Sequence, residues 1–184
     1  MGIAADLSYV HHRPNVAQRT VQSLAATSPG AWFFARVLPP LDRSSERLSH
    51  GRVSLPLLLA GLPALVLTTT GRRTGQQRAA HLIAVPFAET LALLGTNFGQ
   101  PRTPAWVLNL EADPMATVTH RGVTADVLAR PATPSEAARI LADSASVYAG
   151  YQRYQDRITG RTVRIFVLES RDPIDERDKP DLPD

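Results

Sequence analysis

The chain contains no cysteine among its 184 residues. This absence excludes disulfides, thiolate metal sites and cysteine nucleophiles, and it is consistent with a reducing cytoplasm. The first residues, MGIAADLSYVHHRPN, lack the apolar core of a secretory signal. The longest apolar stretch, Leu55 to Leu67, is interrupted by Pro56, Gly61 and Pro63 and is too short to cross a bilayer. We therefore expect a cytoplasmic protein.

Lysine is nearly absent as well. Lys179 is the single lysine among the 20 basic residues, so the other 19 are arginine. The net charge of +3 is unevenly spread, because residues 171–184 carry three positive and six negative charges, which leaves about +6 on the body. A basic body suits nucleic acid, an anionic membrane surface or an acidic ligand. Nucleic acid is not expected, because the arginines are spread out and no DNA- or RNA-binding motif is present.

Metal and dinucleotide sites are not expected either. The five histidines show no metal-ligand spacing, and no strand leads into a GxGxxG turn.

The hydrophobic pattern predicts a helical N-terminal region followed by short strands. Residues 15–26 have helical spacing, residues 31–38 form a short amphipathic segment, and residues 41–50 are charged and compatible with a helix. Strands are predicted over 65–70, 78–87, 91–95, 115–121, 123–129 and 161–169. Six short strands are too few for a sandwich plus a second domain. They predict a small, partly closed antiparallel barrel with an N-terminal helical extension.

Two helices are predicted between the strands. The first has Thr103 as its N-cap and Pro104 at its first position, and it stops before Asp113. The second begins with the capping-box pattern Thr133 to Glu136 and runs to about residue 147. The chain is thus predicted to comprise a helical extension over 1–52, a barrel domain over 53–170 and a disordered acidic tail over 171–184.

The turn between the first two predicted strands, GRRTGQQR, combines two glycines with Arg72, Arg73 and Arg78. Guanidinium is permanently charged and binds phosphate in bidentate fashion, and glycine turns let backbone N–H groups approach an anion. The turn therefore indicates a polyanionic small-molecule ligand. The alternative is a solvated hairpin tip.

Three of the four tyrosines, Tyr148, Tyr151 and Tyr154, recur every three residues. This spacing predicts a stripe along a helix edge. Tyrosines in such a stripe either line a site or pack with their hydroxyls exposed to water.

Three blocks carry a family resemblance: TTTGRRTGQQR, GTNFGQPRTPAWVLNLEADPMATV and VYAGYQRYQDRITGRTVRIFVLE. In collinear order over roughly residues 50 to 169, they resemble the deazaflavin-dependent nitroreductase family. The resemblance implies a flavin-reductase-like split β-barrel with peripheral helices. It also implies an oxidoreductase that transfers hydride from reduced 8-hydroxy-5-deazaflavin coenzyme F-420 to a small unsaturated, quinone or nitro acceptor. Two alternatives stay open: a flavin mononucleotide-dependent reductase on the same barrel, and a non-catalytic deazaflavin carrier.

The resemblance also implies a cofactor site. Its arginine turn would hold the cofactor's phosphate and acidic tail, and the following strand would contact the ring and the ribityl chain. The implied cofactor contacts are Arg72, Arg73, Thr74, Arg78, Ala79, Ala80, His81, Leu82, Ile83, Leu94, Gly95, Thr96, Asn97, Ala105, Trp106, Val107, Leu108, Asn109 and Tyr151.

The implied catalytic residues lie around the acceptor: Thr96, Tyr148, Tyr151 and Tyr154. The chain departs from the family pattern at five positions near these sites. Arg73 and Asn97 replace lysines, His81 and Ala149 replace prolines, and Phe98 replaces a glycine.

Trp32, Phe33 and Phe34 lie beside Arg36 in the N-terminal extension. Two interpretations stay open for this segment. It is either a helix docked on the barrel or an anchor at the inner face of the membrane, where the protein would meet lipid-soluble quinones.

Overall fold

The fold from Ala64 onward is mainly β-structure, in a computed structural model that describes residues 2–9, 64–148 and 150–171. The strands are β1 (Ala64–Thr70), β2 (Gln77–Ile83), β3 (Val85–Phe87), β4 (Thr90–Leu94), β5 (Met115–His120), β6 (Val123–Pro131) and β7 (Ile165–Ser170). The helices are α1 (Ile3–Asp6), α2 (Ala105–Ala112), α3 (Pro134–Val147) and α4 (Gly150–Arg157), and a 3-10 turn covers Asn97–Gly99.

The strands form one seven-stranded sheet in the order β2-β1-β5-β6-β7-β4-β3, and every neighbouring pair is antiparallel. Its two edge strands, β2 and β3, are consecutive in the chain and are separated by Ala84 alone. Since one extended segment supplies both edges, the sheet must curl until those edges meet. This is the split β-barrel that the resemblance implies, and its fold class is confirmed.

The strand register defines an inner and an outer face. Leu65, Leu67 and Thr69 of β1 are buried and pair with Leu82, Ala80 and Arg78 of β2, so these six residues share the inner face. The inner core continues along the other strands and is closed by α1 and α2; it includes Leu91, Leu93, Trp106, Val107, Leu110, Val118, Val127, Phe166 and Leu168. On the outer face, α3 and α4 cover a second buried cluster, which includes Val85, Ala92, Leu94, Ile165 and Val167.

The β2–β3 junction is held by two tyrosines. The Tyr9 hydroxyl donates to the carbonyl of Ala84 and accepts from its N–H, at 3.0 Å in each case. The Tyr151 hydroxyl donates to the carbonyl of Ile83 at 2.8 Å. At this junction the chain stops pairing with β1 and starts pairing with β4, so these hydroxyls bind backbone groups where the ladder is interrupted.

The predicted elements need four corrections. The strand predicted over 78–87 is divided at Ala84, so the described residues form seven strands where six were predicted. The N-cap of α2 is Pro104, and no side chain caps this helix, so the role predicted for Thr103 is wrong. The last strand begins at Ile165 because Arg161 belongs to a loop whose carbonyl contacts are described below. Tyr148 lies at the C-terminal cap of α3 rather than within a helix.

Other predictions were met or lie outside the described residues. The capping box of α3 is confirmed, with Thr133 and Glu136 each accepting the other's backbone N–H, and the helix ends at Val147. The helices predicted over 15–26, 31–38 and 41–50, the segment Trp32–Arg36 and the acidic tail beyond residue 171 lie outside the described residues.

Candidate cofactor and acceptor site

The arginine turn connects β1 to β2. It is closed by the N–H groups of Thr74 and Gly75, which donate to the carbonyl of Gly71 at 3.1 and 2.8 Å. A Cβ atom at Gly71 would lie 2.9 Å from the Gln76 carbonyl oxygen, and Gly75 has a φ of +67°. Both positions therefore favour glycine.

Asn109 fixes this turn to helix α2. Its amide nitrogen donates to the Thr69 hydroxyl at 3.0 Å, and its amide oxygen accepts the N–H of Arg72 at 3.2 Å. The side chain is buried, with 6% of its surface exposed. Asn109, which the resemblance implies as a cofactor contact, thus lies beneath the turn and orients it.

The turn presents three cations to solvent. Arg72, Arg73 and Arg78 are exposed. Within residues 2–9, 64–148 and 150–171 no carboxylate lies within 4.0 Å of these guanidinium groups, and Arg78 donates to the Gln76 side chain at 3.1 Å. By contrast, Arg130 forms ion pairs of 2.7 and 2.6 Å with two glutamates. The turn can therefore bind an anionic ligand without first breaking an ion pair with the described residues.

Strand β2 leads from this turn towards the tyrosines. Ala79, His81 and Ile83 lie on its outer face, whereas Ala80 and Leu82 pack against the inner core. The Nε2 atom of His81 is buried and has no hydrogen-bond partner among the described residues. A buried polar atom left without a partner is costly, so this nitrogen is a candidate for a ligand hydrogen bond.

The end of β4 and the loop after it contain the next group of predicted contacts. Leu94, Gly95 and Thr96 are buried, and Asn97 is half-buried. The Arg161 guanidinium donates to the carbonyls of Gly95 and Thr96, at 2.9 and 3.0 Å. No sequence signal indicates this role, because nothing distinguishes Arg161 from the other arginines until the two loops meet in space.

Helix α2 contributes mainly packing. Trp106 is 8% exposed and contacts Phe166 edge to face, with ring centroids 6.1 Å apart. Val107 is fully buried in the same inner core. Of the five residues implied as cofactor contacts on this helix, Ala105 is exposed and Leu108 is half-buried. Their side chains are the ones that a ligand could reach in this arrangement.

The three tyrosines come together on the outer face. Tyr148, Tyr151 and Tyr154 are each at most 5% exposed, and the hydroxyls of Tyr148 and Tyr154 lie 3.0 Å apart. Burial raises the pKa of all three phenols, because desolvation disfavours the phenolate. They are therefore neutral near pH 7 and can donate hydrogen bonds, but they are poor general bases.

The arginine turn and the tyrosines lie at opposite ends of strand β2. Arg78 is the second residue of β2, and Ile83, whose carbonyl accepts a hydrogen bond from Tyr151, ends the strand five residues later. At about 3.3 Å per residue, the two positions are about 17 Å apart along the strand, with Arg78 on its inner face and Ile83 on its outer face. We call the strand between these positions the candidate ligand strip, whose length would suit an elongated ligand with an anionic arm at one end and a flat ring at the other.

Two further classes of feature are not found in the described part of the chain. None of its helices is long and apolar enough to cross a membrane. No three His, Asp or Glu side chains in residues 2–9, 64–148 and 150–171 are grouped so that they could hold a metal ion.

Comparison with known proteins adds independent information. The family model described as F420H(2)-dependent quinone reductase matches residues 43–170. An F420H(2)-dependent quinone reductase of Mycobacterium tuberculosis is 31% identical over 112 residues, which cover 59% of this chain and 74% of that protein.

Solved structures agree with this match. The structure of an F420-H2 dependent reductase, FDR-A, has a TM-score of 0.52 and 29% identity, and the alignment covers 58% of this chain and 94% of that one. A domain-swapped dimer at 24% identity has a TM-score of 0.54, covers 77% of this chain and 100% of its own, and shows the same fold. The resemblance found in the sequence is confirmed, and the chain belongs to the F420H(2)-dependent quinone reductase family.

Proposed function

We propose that this chain is an oxidoreductase that transfers hydride from reduced coenzyme F-420 to a quinone-type acceptor. The observation that carries the proposal is the arginine turn: three exposed guanidinium groups without carboxylate partners in the described residues, on a turn that Asn109 fixes to the barrel. Membership of the family supports the choice of cofactor and acceptor class.

The turn suits the anionic arm of F-420. Arg72, Arg73 and Arg78 can each offer a planar pair of donors to phosphate or carboxylate oxygens. Arginine at position 73, where the family often has lysine, keeps the charge and adds a second parallel donor. Asn109 limits the motion of the turn through the Arg72 backbone, so less conformational entropy is lost when an anion binds.

The outer face of β2 suits the ring end of the cofactor. Ala79 is small and exposed, which leaves room for a flat ligand, and His81 offers the one buried nitrogen without a partner on this strand. The carbonyl of Ile83 already accepts a hydrogen bond from the Tyr151 hydroxyl, so the cofactor ring would contact β2 at residues that precede Ile83. When bound, the reduced cofactor supplies the hydride; the chain supplies position and polarity around it.

The tyrosines suit the acceptor end. A quinone that accepts hydride develops negative charge on its oxygen, and a neutral phenol can stabilise that charge by donating a hydrogen bond. The Tyr148–Tyr154 pair is protonated near pH 7, because a phenol has an ordinary pKa of about 10 and burial raises the pKa of both hydroxyls further. Tyr151 supports the junction through Ile83, and Thr96 is buried within the loop after β4, so we assign the first acceptor contact to the Tyr148–Tyr154 pair.

A cofactor titration tests the proposal. Purified protein should bind F-420 in the micromolar range and more weakly as salt rises, because ion pairs contribute to binding. Tight binding of flavin mononucleotide with none of F-420 would overturn the assignment in favour of the flavin alternative. Binding of reduced F-420 without its oxidation by soluble naphthoquinone would favour the carrier alternative.

Both interpretations of the N-terminal segment Trp32–Arg36 remain: docking on the barrel, or contact with a membrane surface. Cosedimentation with anionic phospholipid vesicles, for the intact chain and for Trp32→Ala, distinguishes them. If the segment docks on the barrel, both proteins should remain in the supernatant. If it is a membrane anchor, the intact chain should pellet with the vesicles and the Trp32→Ala variant should remain in the supernatant.

A further inference from the structure

The loop between β4 and α2 has an unusual backbone. Asn97, Phe98 and Gly99 are consecutive, and their φ angles are +48°, +54° and +78°. Glycine adopts this left-handed region readily and asparagine tolerates it, but for a bulky side chain such as phenylalanine it is unfavourable. Such a conformation persists only where surrounding contacts impose it, and it is often found at functional sites.

Arg161 provides those contacts. Its Nη1 donates to the carbonyl of Gly95 at 2.9 Å, and its Nη2 donates to the carbonyls of Thr96 and Gln100, both at 3.0 Å. Its Nε adds a longer bond of 3.4 Å to Gln100. The guanidinium therefore bonds the loop on both sides of Asn97, Phe98 and Gly99, with no carboxylate partner for Arg161 among the described residues.

The loop forms a wall beside the tyrosine pair. The Phe98 ring meets Tyr154 edge to face, with centroids 6.1 Å apart. A Cβ atom at Gly99 would lie 3.2 Å from the side chain of Arg157 and 3.4 Å from the backbone of Tyr154, so the loop is in close contact with α4. Any shift of the loop would therefore move Phe98 relative to Tyr154.

We propose that Arg161 is a positioning residue that holds Phe98 in its left-handed conformation against Tyr154, and that Phe98 thereby limits the size of the acceptor that reaches the tyrosine pair. The inference rests on the proposed function, because it takes the tyrosine pair as the acceptor site. Lysine cannot replace Arg161 here, since one ammonium group lacks the planar fork that reaches three carbonyls at once.

Four variants test the inference: Arg161→Lys, Phe98→Gly, their combination, and Arg164→Gln as the matched control. Arg164 lies three residues from Arg161 and forms an exposed ion pair with Glu111 at 3.1 Å. Loss of this ion pair should change the melting temperature and the kinetic constants little. The measurements are the melting temperature, the Kd for F-420, and kcat/KM for tetramethylbenzoquinone and for the larger two-ring methylnaphthoquinone.

We expect Arg161→Lys to lower kcat/KM for both quinones about tenfold, since a misplaced wall spoils the geometry of transfer, while the Kd for F-420 changes less than threefold. Phe98→Gly should raise the ratio of kcat/KM for methylnaphthoquinone to that for tetramethylbenzoquinone about tenfold, because it removes the limiting ring. Because glycine adopts a φ of +54° without strain, Arg161→Lys should lower the melting temperature less in the Phe98→Gly background than in the wild-type chain.

Three results would overturn the inference. One is a Phe98→Gly protein whose ratio of kcat/KM values for the two quinones equals that of wild type, since this variant keeps Arg161 and its contacts. Another is strict additivity of the two substitutions in melting temperature. The third is an Arg161→Lys protein indistinguishable from Arg164→Gln. Failure of the proposed function looks different, because wild-type protein would then fail to oxidise reduced F-420 with either quinone.

Discussion

Tyr9→Phe is the sharpest test of how this barrel is held together. Ala84 is fully buried, and its N–H and its carbonyl both bond the Tyr9 hydroxyl at 3.0 Å. Phenylalanine keeps the ring beside His120, whose centroid lies 4.9 Å away, and removes only the hydroxyl. The substitution therefore leaves two buried backbone groups without a partner in a site that otherwise keeps its shape.

The expected cost follows from that geometry. A buried polar group that loses its partner costs about 1–3 kcal/mol, so two such groups give a loss of about 2–4 kcal/mol after some relaxation. For a chain of this length each kcal/mol corresponds to about 2–4 °C, so the melting temperature should fall by roughly 5–15 °C. Because burial raises the pKa of Tyr9, its hydroxyl stays protonated and the effect should not depend on pH near neutrality.

Urea unfolding and thermal melts followed by circular dichroism measure this cost. Thr119→Val is a matched control, because it also removes one hydroxyl, but from an exposed 2.9 Å bond to Thr124. The control should change the free energy of unfolding by less than about 0.5 kcal/mol. If Tyr9→Phe is no less stable than Thr119→Val, the hydroxyl does not satisfy the Ala84 peptide and our explanation of the junction is wrong.

Three further predictions concern the site and its surroundings. Arg72→Ala should weaken F-420 binding, measured by fluorescence titration, roughly tenfold to a hundredfold, as expected for a lost charge-assisted contact of about 1.5–3 kcal/mol. Arg121→Ala, in another exposed turn, is the control and should leave the Kd for F-420 unchanged. Tyr154→Phe should keep F-420 affinity but slow single-turnover oxidation of bound reduced F-420 by quinone; a wild-type rate would show that the hydroxyl serves packing alone. Arg130 lowers the pKa of Glu136 to about 2, so the stability that this pair contributes should be present above about pH 4.5 and lost as the pH falls towards 2. The melting temperatures of wild type and Glu136→Gln should therefore converge at low pH. A difference in melting temperature that stays constant with pH would contradict the assignment.

Local signals in the sequence predicted much of the fold. The capping box at Thr133 placed the start of α3 correctly, because both of its hydrogen bonds join residues only three apart. The division of the strand at Ala84 was not predictable, because the alternation of side chains continues through that residue and only the change of pairing partner reveals it. Ile3 and Leu7 have helix-face spacing, but a four-residue helix is too short to be predicted from periodicity.

The candidate site likewise contains residues that were predictable from the sequence and residues that were not. The arginine turn was predictable, because its cations and glycines lie within eight consecutive residues. The roles of Asn109 and Arg161 were not, since Asn109 bonds residues 37 and 40 positions away and Arg161 bonds carbonyls 61 to 66 positions away. Residues that touch a ligand tend to cluster in motifs, whereas residues that position those motifs are identified only by the fold.

The extended segment 77–87 links stability to the proposed chemistry. Its first part carries Arg78 and His81, which we place against the cofactor, and its middle is the junction bound by Tyr9 and Tyr151. Because the same backbone closes the barrel and forms the proposed ligand strip, loosening the junction should shift the strip as well. Tyr9→Phe therefore has a second expected effect: a weaker affinity for F-420 measured well below the melting temperature, although the Tyr9 hydroxyl lies on the inner side of the sheet. An F-420 affinity that stays at the wild-type value while stability falls would show that the two roles of the segment are independent.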